Sequence, residues 1–404
     1  MGYAIPAVAS SGAAESLETA ALLLDRNLQE RHWPHHSILD PVFASTDSEE
    51  VVAYTRAPDS AMWTGHYLAA EAYRYKVTGD AGALENIARA LAAIRLLIDV
   101  TATDLLARAA LAPNSPFCNS IVREERPLTF YPARLENQDY VWLGQTTPDQ
   151  YCGVFFGLAC AFDLVNEATV RAAATVLVTR LLDFLLEHHW NIVMPGGPIS
   201  GVFLNRADQQ LTLLQIGRRL NPARFEAEYK THRISLSASV EIPIAYDCLD
   251  DHHSYAKFNL AAINLFHLVR FEDGPRLRAK YLAAYKAFRR AVRTHGNAHF
   301  NMIDRFLSGP DEARDHETHA LLRAWLRRPR RDSHADLRSV YPAAQGPDRA
   351  PAVIPVDHRV PADFLWQHSP FLLYGGGEGT IETAGIDFLL PYWMARSTFL
   401  SAGL

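Results

Sequence analysis

The chain has 404 residues, 49% hydrophobic and 21% charged, the balance of a globular protein with a large core. Its net charge of −6, with no basic face, excludes a nucleic-acid footprint. No run of about eighteen apolar residues exists, so no membrane-spanning helix is expected.

Helical periodicity dominates the chain order. A helix over 17–31 carries Leu17, Ala20, Leu24 and Leu28 on one face. The segments 59–78 and 83–100 form a hairpin through Gly79-Asp80, glycine being a natural residue just past a helix end. A second hairpin joins 149–165 to 169–189 through Asn166. Helices over 207–220 and around 225–230 follow, the first closing before Asn221-Pro222. The segments 254–271 and 275–294 make a third hairpin, and 300–307, 312–326 and 387–399 complete the set. Strand-like alternation is confined to short pieces such as 234–240. The fold class expected is therefore all-α, one domain over 1–404, with paired antiparallel helices stacked as an (α/α)6 toroid. Two segments, 101–148 and 328–380, lack helical period and are expected as irregular covers or loops. The basic run from Arg323 to Arg331 reads as a solvated helix end.

The four cysteines, Cys118, Cys152, Cys160 and Cys248, form no C-x-x-C pair and suggest neither a zinc site nor a disulfide framework. They read as small buried apolar residues. Walker A, G-x-S-x-G, H-E-x-x-H and dinucleotide fingerprints are missing, so no cofactor and no metal are expected. The triple glycine Gly375–Gly377 reads as a flexible turn. The first residues lack the basic and apolar regions of a signal peptide, and a cytoplasmic location is the expectation. The oligomeric state is left open.

Five stretches carry candidate chemistry. Asp59 follows Pro58 and opens a helix whose face also carries Trp63, His66 and Tyr73. Two readings stand: Asp59 caps the helix, or it lines a site. Asp149 likewise follows Pro148, with Gln150 and Tyr151 beside it. Gly153 and Gly157 stand on the next turns, where something approaches the backbone closely, either a neighbouring helix or a ligand. Asp251, Tyr255 and Asn259 share a face in the third stretch. The fourth, His295 to Asn301, contributes His299. In the fifth, Trp366 lies among Phe364, Gln367, His368 and Phe371. Aromatic rings beside amides and imidazoles suit stacking and hydrogen bonding of a sugar, and equally a loop pinned to the core.

The runs D-S-A-M-W-T-G-H-Y-L-A-A-E-A-Y from Asp59 and T-P-D-Q-Y-C-G-V-F-F-G-L from Thr147, with the dense helical hairpins, resemble the six-hairpin glycosidase superfamily. That resemblance implies an (α/α)6 barrel with an aspartate at its mouth, and hydrolysis of a sugar or uronic-acid substrate. Asp59 and Asp149 would be the acid/base pair, with His66 and Tyr255 relaying protons. Trp63, Gln150, Tyr151, Asp251, Asn259, His299 and Trp366 would contact substrate, and Arg108 or Arg134 would meet a uronate carboxylate. An isomerase, cyclase or lyase using the same groups, or a non-catalytic binding toroid, are the alternatives.

Overall fold

The computed structural model describes residues 16–250, 255–341 and 348–401. Ser16 starts the first helix, α1 (Leu17–Arg31), by accepting the Thr19 amide at 3.1 Å. Helices α2 (Ser60–Thr78) and α3 (Ala81–Asp99) follow as a hairpin, turned by Gly79 in the left-handed region at φ 64°. The other hairpins are α5 (Pro148–Leu164) with α6 (Ala168–Glu187), and α10 (Ala256–Arg270) with α11 (Pro275–Val292). Helices α7 (Ala207–Leu220) and α8 (Pro222–Leu236) meet at Asn221, and α12 (Ala298–Ser308) turns at Gly309 into α13 (Glu312–Trp325). Short helices α4 (Cys118–Glu124) and α9 (Glu241–Asp247) and the terminal α14 (Ile386–Arg396) bring the described helices to fourteen.

Each pair divides its labour. Helix α2 is buried without a break from Ser60 to Arg74, and α5 from Gln150 to Ala161. Their partners bury one stripe: Ala83, Ile87, Ala90, Ile94 and Leu97 on α3 follow the 3.6-residue period of a helix packed on one side. Helix α2 packs on α5, α5 on α7, α7 on α10, α10 on α12, α12 on α14 and α14 on α2. Against these lie α3 on α2, α6 on α5, α8 on α7, α11 on α10, α13 on α12 and α1 on α14. One apolar cluster, running from Leu17 to Leu400, takes side chains from every helix except α4.

The structure is mostly helical, but less purely so than expected. The segment 101–148 holds a three-stranded antiparallel sheet of β3 (Ala109–Leu111), β5 (Gln138–Leu143) and β4 (Phe130–Leu135), in that order, together with α4. Two-stranded pieces are β1 (Asp40–Phe43) with β2 (Val51–Thr55), β6 (Asn191–Val193) with β7 (Ile199–Val202), and β8 (Ala335–Asp336) with β9 (Tyr374–Gly375). The alternation at 234–240 is not a strand: α8 runs on to Leu236, and Ser237 to Val240 turn toward α9.

The basic run is a solvated end only in part: Arg327, just past α13, is exposed, but the residues after it are held. Arg328 meets Asp387 at 3.8 Å, Arg330 donates to the Thr383 carbonyl at 2.8 Å, and Arg331 holds the Thr46 and Ser48 carbonyls. These arginines pin the segment after α13 across α14 and the β1–β2 turn. The triple glycine is packed, not loose: a methyl on Gly376 would overlap the Ser333 carbonyl, and one on Gly377 the Asp332 carboxylate.

Candidate active site

Glycines bring two helix starts together. A methyl on Gly65 would overlap the Gly153 carbonyl, and one on Gly157 would overlap the Gly65 carbonyl. Backbone therefore lies on backbone where α2 crosses α5, so the close approach at Gly153 and Gly157 is that of a neighbouring helix. The two helices run side by side from one end. Their first turns meet through Gln150, whose Nε2 donates to Asp59 Oδ1 at 3.4 Å.

Neither aspartate is consumed as a helix cap, which corrects the capping expectation for Asp59. Residues Ala57–Asp59 form a 3-10 turn, and Asp59 has φ −102° and ψ 2° instead of the extended backbone a capping residue needs. The orphan amide of Ala61 is taken by the Arg108 carbonyl at 3.0 Å. At α5 the cap is Thr147, which closes a capping box with Gln150: the Thr147 amide donates to Gln150 Oε1 at 2.9 Å. Asp149 sits in the first turn with its carboxyl spare.

Arg108 lies between the two starts. Its guanidinium donates to the Pro58 carbonyl at 2.9 Å, the Gln145 carbonyl at 2.8 Å and Thr147 Oγ1 at 3.4 Å, stapling the approach to α2 to the approach to α5. Three of its N–H groups are engaged in this framework, and its charge acts on both carboxyls. Burial pushes Asp59 above the ordinary aspartate value; Arg108 pulls it back, Asp149 pushes it further up, and the hydrogen bond from Gln367 lowers it. Burial also raises Asp149, opposed by Arg108 and Arg206. Burial lowers Arg108 itself, the two aspartates working against the shift.

Asp149 opens into a cleft of about 290 Å³ lined also by Arg206, Gln209, Lys257 and Leu260, so the starts of α5, α7 and α10 share one hollow. Arg206 is held by Asp208 at 2.8 Å and Asp247 at 2.7 Å. A larger groove of about 510 Å³ on α3 and α6, lined by Trp33, Leu96 and Val170, contains none of the candidate residues. The smaller cleft is where a candidate aspartate meets open space.

A second group of candidates is brought together, but in the interior. His66 donates from Nδ1 to the Met62 carbonyl at 2.9 Å, which leaves Nε2 to accept from Asn259 at 3.0 Å. Trp366 packs its ring 5.2 Å from His66, 4.9 Å from His299 and 5.9 Å from Trp63. Trp366 is 1% exposed and Trp63 4%, so neither offers a face to a sugar, contrary to the stacking role expected of them. Burial brings the His66 imidazole down to about 4 and pushes His299 well below its ordinary value, so both are neutral at pH 7. With both nitrogens engaged in the interior, His66 is not placed to relay protons to Asp59.

Tyr151 and Tyr255 are also placed apart. The Tyr151 hydroxyl accepts the Leu106 amide at 3.3 Å, and that of Tyr255 shares a hydrogen bond with His295 at 3.1 Å. Arg134 is exposed on the β4–β5 hairpin and pairs with Asp139. Asp251 lies outside the described residues.

Sequence reasoning missed several neighbours. Glu125, at the end of α4, accepts the Ala57 amide and feels both Asp59 and Arg108; burial and adjacent Glu124 push its carboxyl up to about 7. Asp363 is pushed to about 7 by burial and lies 3.3 Å from Arg56. Gln367 donates from Nε2 to Asp59 Oδ2 at 3.0 Å. Pro-flanked acids signal helix starts, but no local pattern announces an amide arriving from 308 residues away. Among the described residues no cluster of three or more His, Cys, Asp or Glu is arranged to hold a metal ion. The chain matches no protein-family model and has no significant match among curated proteins.

Proposed function

We propose that the protein is a glycoside hydrolase-like enzyme built as a six-pair (α/α)6 toroid, acting on a sugar or uronic-acid substrate through Asp59 and Asp149. The toroid reading is supported by the order in which α2, α5, α7, α10, α12 and α14 pack, each carrying one outer helix. The observation that carries the function is that both aspartates are spared from capping and flank Arg108 at converging helix starts, with Asp149 in an open cleft.

The two carboxyls differ in a way that suits a division of roles. Asp59 receives amide hydrogen bonds from Gln150 and Gln367, which favour its charged form. Burial raises both carboxyls, but Asp149 receives only its own backbone amide, so it has fewer hydrogen bonds to hold it charged. In this reading Asp149 gives its proton to the glycosidic oxygen as the bond to the anomeric carbon breaks. Asp59 takes a proton from the water whose oxygen bonds to that carbon. Solvent then returns a proton to Asp149 and removes one from Asp59. A uronate carboxylate would be met by Lys257, which lines the cleft where Arg108 does not.

Proton-transfer chemistry on an apolar substrate is less well supported. Trp63, Phe364 and Trp366 pack on one another where an enclosed apolar cavity would have to open. The test is turnover across a panel of neutral and uronic-acid glycosides. Asp149→Asn and Asp59→Asn should each lower kcat by about 10²–10⁴-fold, the usual worth of a positioned acid or base. If both variants turn over every responsive glycoside at the wild-type rate, the proposal fails.

A further inference from the structure

The turn that carries Gln367 is seated with unusual firmness for a loop. Trp366 is 1% exposed and Phe364 1%, both packed against Trp63. The Leu365 amide donates to Asp387 Oδ2 at the start of α14 at 2.8 Å, and the Gln367 amide closes back on the Phe364 carbonyl at 3.0 Å. Arg56 adds a hydrogen bond to the Ala362 carbonyl at 2.5 Å and an ion pair to Asp363 at 3.3 Å. Two buried aromatic anchors, a closed turn and a carboxylate on the main chain fix the backbone from which the Gln367 side chain reaches Asp59.

The contact it makes is one-sided. A glutamine amide nitrogen only donates, and a donor to a carboxylate favours that carboxylate over the neutral acid. Gln150 reaches the other oxygen, Oδ1, but at 3.4 Å, and its own carbonyl is already bound into the capping box. The 3.0 Å contact to Oδ2 is the closer of the two.

We propose that Gln367 is a positioning residue of the site: its amide, delivered by the Trp366-anchored turn, fixes the rotamer of Asp59 and holds it as the carboxylate. This rests on the reading of Asp59 as the base of the pair. The charged groups facing Asp59 are Arg108, Arg56, Asp149, Glu125 and Asp363. They set a background on which Gln367 adds a neutral, directional contribution.

Selective 13C labelling of aspartate side chains in the full chain allows the Asp59 carboxyl to be titrated directly, its resonance assigned by its loss in Asp59→Asn. In Gln367→Leu, which keeps the bulk and removes the donor, the Asp59 midpoint should rise by about half a pH unit or more. Gln367→Glu, of nearly identical shape, should raise it further by adding a like charge. A glutamine that merely packs the turn would lower Tm in Gln367→Leu and leave the midpoint where it is, and that outcome overturns the proposal. Should Gln367→Leu fail to fold, Gln367→Met, which also lacks the donor, decides by the same midpoint. The titration needs no turnover: a shifted midpoint in a protein that cleaves no glycoside would keep the positioning role and discard the hydrolase.

Discussion

An arginine and a group of acids lie near each end of helix α2, and the two groups are built on opposite principles. Near its C-terminal end, Arg74 donates to Asp25 at 2.6 Å, to Glu71 at 3.1 Å and to Asp80. Asn86 adds bonds to Glu71 at 3.0 Å and Asp25 at 3.2 Å, and the Tyr67 hydroxyl donates to Asp25. Every acid there is bonded to the arginine. At the N-terminal end, Arg108 sits among Asp59, Asp149 and Glu125 but gives its hydrogen bonds to backbone carbonyls. Its charge reaches the acids while its donors do not. A network in which the arginine bonds every acid is a structural tie; one in which it acts on the acids by charge alone, with Asp149 open to a cleft, is set up for proton transfer.

The sharpest way to test this contrast is to remove each arginine in turn. Arg74→Met should cost about 3–5 kcal/mol in urea unfolding, because it strands three acids, one of them the fully buried Glu71. Arg108→Met leaves backbone carbonyls short of donors and should cost less, about 1–3 kcal/mol. Its distinctive effect lies elsewhere: with the positive charge gone, both Asp59 and Asp149 should titrate higher, by carboxyl 13C shifts. Equal losses of stability with no titration change would erase the distinction between the two ends.

The convergence of helix starts depends on the glycine crossing, so the next test is Gly157→Ala. Its methyl would meet the Gly65 backbone, and the expected cost is about 1–3 kcal/mol with the first turns of α2 and α5 pushed apart. Alanine at Gly79 meets nothing within contact distance but takes a left-handed backbone, a cost confined to that turn. Turnover should fall in the first variant and hold in the second.

Much of this architecture was legible because it follows from periodicity. Apolar residues at helical spacing placed α1 and α7 to the residue, and Gly79 and Gly274 marked turns that are there. The helix starts at Asp59 and Asp149 were legible too, since a proline-flanked acid announces one. What escaped detection is non-local or weakly patterned. Strand β4 alternates only between half-buried and exposed residues, leaving no apolar face to recognise. The 3-10 turn that diverts Asp59 from capping is fixed by the Arg108 carbonyl, 47 positions from the amide it takes. Trp366 was read as a possible sugar platform because its neighbours are polar, yet its depth is set by contacts with α2 and α12.

The smallest effect concerns Glu125, which tells whether the N-terminal group extends past the two aspartates. Its carboxyl is raised from 4.5 to about 7, chiefly by burial and then by Glu124 and Asp59. The folded chain therefore keeps a proton that the unfolded chain releases, and stability from this group is full below pH 4.5 and lost as pH rises through about 7. Glutamine cannot titrate, so Glu125→Gln should flatten the decline of the urea midpoint across that window, leaving other raised acids to supply the remainder. The variant should gain on the wild type toward about pH 8, where the wild-type carboxylate is charged and half-buried. Superimposable profiles for the two proteins would mean that solvent reaches Glu125 freely, and the reactive group would then end at Arg108.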